Sequence, residues 1–420
     1  MTIRPTFAMA LLLLGIAAIL LLPTAPLAGE AASQPQQVEL TTEDCTPLNL
    51  GFGSCQWLHP LEAPRKKLLQ EPAYKSAKPV HYAAVLGDAA DNVYTLVIDE
   101  SGGTGKGYDT LYVDADNDNR IGGEGETVSF RMSTVSKEEA VRLKLQVSAG
   151  GKTYPYWVSF TAFPYKDEKS PIEKVHANLR DGSYRTGQAV IAGKSHKMAL
   201  ADLNSNGMFN DPECGGIFTG DRFFVDLNDN GQFKDDKGDD DQSGFGYGGY
   251  TKIDGRWYSI IASPCGGRVT LSPTSPPLGQ VEAPATVAEA RLSSTKQMCV
   301  LRFRAARAEA VAGTYELRSV RLAAKDASGR EWTISGQFPR QDRPKVSIQE
   351  GQKALLPTVG PPLQVAPTIS RGADGALAIG LRTTGVAGEE YRWPSGGAPH
   401  GFEIRDAAGK VVASGTFEYG

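Results

Sequence analysis

The sequence predicts an all-β, multidomain protein built of β-sandwich or partly closed barrel domains. Three observations carry that class. Short runs rich in β-branched and aromatic residues recur along the chain, and the clearest alternate apolar with polar residues, as a half-buried strand does. These runs are punctuated by 47 glycines and 26 prolines, the residues of turns. Helical periodicity is scarce, with Lys137 to Val141 and Ala283 to Ala290 as the two short candidates.

Taken in order, Phe7 to Leu22 is an apolar run after Arg4 and before Pro23, with small residues at Ala25, Ala28 and Ala31. It reads as a secretory signal peptide cleaved after Ala28 or Ala31, with a retained anchor as the alternative, because the run falls short of the ~20 residues that span a bilayer. The mature chain is then expected in a secreted, periplasmic or cell-envelope setting, without a membrane span. Residues 29–38 read as a disordered polar leader. Strands are expected at Val93 to Ile98, Thr110 to Val113, Val141 to Val147, Tyr156 to Phe163, Lys197 to Leu203 and Arg222 to Leu227. Hairpins are expected at Ala149 to Lys152, Ile253 to Arg256, Asp326 to Gly329 and Ala407 to Gly409. Proline-rich joints at Ser272 to Pro277 and Leu356 to Pro362 divide the chain into β domains over 39–170, 171–278, 279–355 and an Ig-like sandwich over 356–420.

The most informative residues lie between strands. Asp202 to Glu213 reads DLNSNGMFNDPE and Asp226 to Lys237 reads DLNDNGQFKDDK, identical at seven of twelve positions. A third segment, Asp114 to Ile121, keeps the alternation, with Asn119 where the other two have glycine. Oxygen-bearing side chains at positions 1, 3 and 5, a turn-forming residue at 6, a carbonyl at 7 and an acid near 12 are what a hard divalent cation requires. The ligand set is therefore Asp202, Asn204, Asn206, Met208 through its carbonyl, Asn210 and Glu213. In the second copy it is Asp226, Asn228, Asn230, Gln232, and Asp235 or Asp236 in place of Lys237. In the remaining segment it is Asp114, Asp116, Asp118 and Arg120, closed by Glu124 or Glu126. An apolar residue follows at position 8 in each: Phe209, Phe233 and Ile121.

The cation is expected to be Ca2+. Residues 201–241 hold eleven acids against three basic residues, whereas the whole chain is only −4, and such a cluster repels itself unless neutralised. With few carboxylates per loop, affinity should fall near the 10⁻⁴ to 10⁻³ M range, roughly that of extracellular modules. The competing reading is that Asn, Asp and Gly merely make turns. The loops resemble EF-hand and dockerin-type calcium loops, and the D-x-D-x-D-G loops of β-rich extracellular repeats. The glycine-rich, strand-dominated remainder resembles secreted β-rich proteins of bacteria. That resemblance carries over ligand roles at the matching positions and no activity.

Enzymatic signatures are missing: there is no H-E-x-x-H and no G-x-S-x-G, and the five histidines are scattered. The sequence therefore favours a non-enzymatic calcium-binding protein that meets a glycan or protein ligand. A secreted glycoside or peptide hydrolase with structural calcium is the alternative. Tyr247, Tyr250, Trp257 and Tyr258 are the candidate sugar-stacking aromatics, and the acidic balance disfavours nucleic acid. Five cysteines in an oxidising compartment suggest Cys45–Cys55 and Cys214–Cys265 bridges, with Cys299 left as a buried thiol.

Overall fold

The computed structural model describes residues 34–44, 55–104, 107–134, 139–166, 173–212, 220–231, 233, 244–246, 249–325, 327–371, 377–392 and 401–417. Strands dominate them, and the one helical element is a 3-10 turn at Arg340–Asp342. No helix among the described residues is long and apolar enough to cross a membrane. The expected signal segment lies outside them.

Four antiparallel sheets enclose the first core. One is a meander of Val80–Val85, Val93–Asp99, Thr110–Val113 and Thr127–Ser129. The second runs Gln56–Leu58, Glu173–Asp181, Lys152–Lys166, Ala140–Ala149. The third runs Gly244–Gly246, Arg222–Val225, Lys194–Ala201, Ser183–Ile191, Thr41–Asp44, and the fourth Gln36–Glu39, Arg268–Pro273, Arg256–Ala262, Tyr250–Ile253. Their inward residues, from Val38 to Leu271, form one continuous apolar cluster. Strand Ala140–Ala149 shows why: Leu143, Leu145 and Val147 face inward, while Arg142 and Lys144 face out and lie over the Trp157 ring.

After the proline-rich stretch at 272–277, a second core gathers Val281 to Tyr391. Its main sheet is centred on the long strand Gly313–Lys325, flanked by Val287–Ser293 and Glu331–Gln337, and it continues through Glu390–Arg392 and Leu377–Thr384 to Gln364–Arg371. A parallel pairing of Leu278–Glu282 with Lys353–Leu355 closes the other side, and Gly401–Arg405 with Val411–Thr416 makes a separate hairpin. All four expected hairpins join paired strands.

Two expectations about local structure change. Ala283 to Ala290 is not helical: from Val287 it enters a strand that pairs on both sides, with Met298–Arg302 and with Gly313–Lys325, so tertiary pairing overrides the helical preference of its alanines. Likewise Val141 belongs to the strand beginning at Ala140, while Lys137 lies outside the described residues.

Two of the described cysteines, Cys55 and Cys265, also differ from expectation, while Cys299 is the unpaired thiol expected. Cys55, Cys265 and Cys299 are free thiols, whereas Cys45 and Cys214 lie outside the described residues. Cys265 turns toward the Ser263 hydroxyl at 3.6 Å in a tight turn, which satisfies it locally. Cys299 packs against the second core beside Tyr315, and burial pushes its thiol up to about 11. A raised value means less thiolate at any given pH, so Cys299 should alkylate at pH 8 roughly two orders of magnitude more slowly in the folded chain than in urea. Mass-spectrometric labelling kinetics check this, and equal rates would contradict it.

Candidate metal centre

Each of the three loops begins at the residue that follows a strand: Asp114 after Thr110–Val113, Asp202 after Lys194–Ala201 and Asp226 after Arg222–Val225. The strand end carries this first acid inside, so all three are buried. A buried carboxylate must find donors, and each takes them from its own loop. Asp202 accepts the amides of Gly207 at 2.7 Å and Asn206 at 3.3 Å. Asp226 accepts those of Gly231 at 2.8 Å and Asn230 at 3.1 Å, and Asp114 accepts that of Asn119 at 3.2 Å.

The backbone answers in the same way in all three. Positions 4 and 6 are left-handed throughout: Asn117 at 62° and Asn119 at 68°, Ser205 at 57° and Gly207 at 76°, Asp229 at 55° and Gly231 at 78°. Asn119 thus takes the conformation that glycine takes in its counterparts, as asparagine can. The shorter links repeat too. Position 3 accepts the position-5 amide in two loops, Asp118 to Asp116 and Asn206 to Asn204, both at 3.2 Å. Position 5 accepts the position-7 amide, Arg120 to Asp118 and Met208 to Asn206, both at 2.8 Å. Ile121, Phe209 and Phe233 at position 8 are all buried, pinning each loop to the protein beneath.

The 202 loop is the most deeply packed. Tyr156 donates its hydroxyl to Asp202 at 2.8 Å, Tyr154 donates to the Gly207 carbonyl, and the Gly87 amide donates to the Asn206 carbonyl at 2.7 Å. Phe209 stacks edge-on against Tyr156 and lies under the Arg185 guanidinium at 4.8 Å. Asp211 accepts the side-chain amides of Asn204 at 3.1 Å and Asn206 at 2.6 Å, which draws positions 3 and 5 together. Burial pushes the Asp202 carboxyl up to about 7, so in this dry setting its charge is costly as it stands. The Asn210 side-chain oxygen is buried with no donor.

In the 114 loop, one oxygen from each of Asp114, Asp116 and Asp118 lies within 4.8 Å of the others, the one such grouping of acids, histidines or cysteines among the described residues. Asp114 Oδ1 is buried without a donor. Its Oδ2 is 3.2 Å from the Lys66 ammonium, which also meets Asn117 and stands 3.5 Å from Asp91. Burial raises the Asp114 carboxyl, and Lys66 offsets part of that rise. Of the two candidate closing acids it is Glu126 that folds back, accepting the amides of Ala115, Gly122 and Gly123. In the 226 loop, His196 contacts the Asp226 carbonyl at 2.9 Å and Asp229 at 3.1 Å, and Lys194 pairs with Asp229. Asn228 and Asn230 are exposed. The position-7 and closing residues Gln232, Asp235, Asp236 and Glu213 lie outside the described residues.

The side-chain oxygens of these loops have the chemistry a hard cation would take, and Asp114 Oδ1 and Asn210 Oδ1 are buried without a hydrogen-bond donor. Several contributors were invisible in the sequence because they reach in from other segments: Lys66, Asp91, Tyr156, and Asp221, which accepts the Asp211 amide at 2.6 Å. Tyr258 is not the sugar-stacking aromatic the sequence suggested but a core residue, because the alternation of Arg256–Ala262 turns it inward. Tyr250 is exposed, Trp257 lies under Lys252 at 5.5 Å, and Tyr247 is outside the described residues.

The loops' packing separates two otherwise equivalent glycines. A β-carbon on Gly207 would meet Val147 Cγ1 at 2.9 Å and the Gly87 nitrogen at 3.2 Å, whereas one on Gly231 meets nothing within 4 Å. Gly231→Ala should cost about 1 kcal/mol of left-handed strain, and Gly207→Ala that strain plus about 1–3 kcal/mol of overpacking. Urea unfolding of both variants checks the difference, and equal costs would contradict the packing. No protein-family model, no curated protein and no solved structure matches this chain, so the assignment of the loops rests on its own residues.

Proposed function

We propose that the chain is an exported, non-enzymatic calcium-binding β-protein, whose cations lock inter-strand loops and hold an acidic region folded. One observation carries the reading. The same loop occurs three times with a buried aspartate at its head, and in the 114 loop the oxygens of Asp114, Asp116 and Asp118 lie within 4.8 Å of one another. Burying a carboxylate costs several kcal/mol unless its charge is balanced, and hydrogen bonds to its own loop amides repay only part. A divalent ion among the oxygens of Asp202, Asn204, Asn206, Met208 and Asn210 would supply the rest, as would one among those of Asp114, Asp116, Asp118 and Arg120. Bound there, calcium neutralises charge and ties a strand end to the loop that follows it. The protein's own residues do the remainder: Tyr156 orients the Asp202 carboxylate, and Phe209 anchors the loop.

The head aspartates donate their charge inward and are committed to backbone amides, which suits a structural ion better than a hydrolytic centre. A glycan or protein at the cell envelope is the partner class that accompanies this reading. An aromatic patch supports it: exposed Trp57 and Tyr165 flank Phe163 and the edge-on pair His59 and His176, on one face of the second sheet.

Thermal melts in excess EGTA and in calcium test the proposal. At a free calcium concentration 100-fold above Kd, stabilisation should reach about 2.7 kcal/mol per saturated site. Asp202→Ala should remove the contribution of its loop while leaving that of the 114 loop. Identical melting temperatures with chelator and at that calcium concentration would sink the reading.

A further inference from the structure

We propose that the main sheet of the second core binds an anionic polysaccharide on the face turned away from that core, one carboxylated sugar seating in a cleft and its neighbours crossing a row of arginines. The inference goes beyond the calcium reading and does not depend on the loops. Strand register builds the row. Arg302 pairs with Glu289, Glu289 with Arg321, Arg321 with Ser335 and Ser335 with Arg392, so five neighbouring strands set these side chains abreast on one face. Their chain neighbours Leu301, Ala290, Val320 and Tyr391 point the other way, into the core. With strands about 4.8 Å apart, the row is on the order of 19 Å long.

The charge along it is one-sided. Glu289 is the one acid in the row, and Arg291, Arg302 and Arg321 all turn to it, with nitrogens at 3.3, 3.8 and 3.1 Å. One carboxylate cannot neutralise three guanidinium groups. Arg321 Nε is buried without an acceptor, and Arg392 is exposed and makes no ion pair among the described residues. A chain of net charge −4 therefore carries a local excess of arginine. The linear sequence hides it, because Arg291, Arg302, Arg321 and Arg392 come from four different strands.

At Arg392 the row opens into a cleft of about 620 Å³ between the sheet and the 3-10 turn Arg340–Asp342. That volume is ordinary for a small-molecule site. Arg382, Arg392, Gln337 and Thr368 line it from the sheet, and Gln341 and Asp342 from the turn. Arg382 already pairs with Glu390, and Asp342 makes the turn side acidic, which leaves Arg392 as the seat for a ligand carboxylate. A guanidinium fork matches a carboxylate with two parallel hydrogen bonds. The neutral groups of Ser335, Gln337 and Thr368 suit sugar hydroxyls. A single-stranded nucleic acid would call for aromatic rings to stack its bases, and the row has none.

Binding of the full chain to immobilised hyaluronan, a polysaccharide with a carboxylate on alternate sugars, tests this at low salt, with dextran as the neutral control. The parent should bind hyaluronan and not dextran, and should weaken as salt rises. Arg392→Gln should leave the melting temperature unchanged, weaken binding about tenfold and lower the slope of log Kd against log salt by about one. Arg392→Glu should abolish binding. Parental affinity in Arg392→Glu overturns the assignment, as does a parent that holds dextran as tightly as hyaluronan. So does equal or tighter binding of poly-glutamate or single-stranded DNA, which would give the row to an acidic peptide or a nucleic acid. Loss of binding in Trp57→Ala with none in Arg392→Gln would move the ligand to the aromatic patch and overturn it too. A chain that calcium stabilises and that ignores hyaluronan refutes this inference alone. One that binds hyaluronan through Arg392 without being stabilised by calcium upholds it, and the calcium reading alone fails.

Discussion

The structure around the loops depends on one recurring interaction: an aspartate carried inside by the end of a strand, whose carboxylate accepts the amides of the turn that follows. The interaction is local, yet it fixes where the chain goes next. Two left-handed residues are forced by wrapping the backbone around that carboxylate, and the wrap delivers an apolar side chain back into the protein at position 8. A desolvated carboxylate is nevertheless an expensive centre for a turn. Simple hairpins in the same chain, such as the one at Asp254 and Gly255, reverse direction without burying any acid. The extra cost is hard to account for unless the charge is used.

Two of the loops lean on the same strand. Gln146 of Ala140–Ala149 donates its amide to the Ala115 carbonyl of the 114 loop at 2.8 Å, and Val147 packs where the 202 loop makes its tightest turn at Gly207. Tyr94 adds a hydroxyl bond to the Gln146 carbonyl at 2.6 Å, and Tyr156, on the neighbouring strand, bonds Asp202. The rigidity of each loop is therefore transmitted into the first core through backbone and buried tyrosines, and not through flexible surface side chains. Side chains that bridge core and loop in this way are amphipathic, with the ring in the apolar cluster and the hydroxyl on the polar centre.

The sequence disclosed what is periodic or local. Alternation in VRLKLQV located a strand and its inward face, and the D-x-N-x-N-G-x-F register located the loops, their turn residues and their anchors, including Asn119 in the place of a glycine. It did not disclose what depends on segments meeting in space. Lys66 and Asp221 reach their loops from 48 and 19 residues away from the head aspartates, and no pattern links them. Sequence order groups Tyr258 with Tyr247, Tyr250 and Trp257 as a sugar-stacking aromatic because all four follow the 226 loop, whereas strand parity turns it inward. The alanine-rich stretch before Leu292 carried a helical preference that pairing on two sides outweighs.

Equivalent folds need not mean equivalent electrostatics, and the three loops make this plain. In the 114 loop an ammonium 3.2 Å from a buried carboxylate already balances part of its charge, so that loop is nearer neutrality as it stands. In the 226 loop the charge at position 4 lies at the surface, where Lys194 and His196 meet Asp229 and water screens what remains. In the 202 loop Tyr156 bonds the head aspartate, the further acids around it add to the charge, and the buried Arg185 guanidinium over Tyr154 and Phe209 answers part of it. Repulsion between buried carboxylates falls off slowly in a medium of low polarity. The charge is therefore hardest to balance where the shared motif is best packed, at Asp202, while Lys66, Lys194 and Arg185 show the protein supplying part of the counter-charge in each loop region itself.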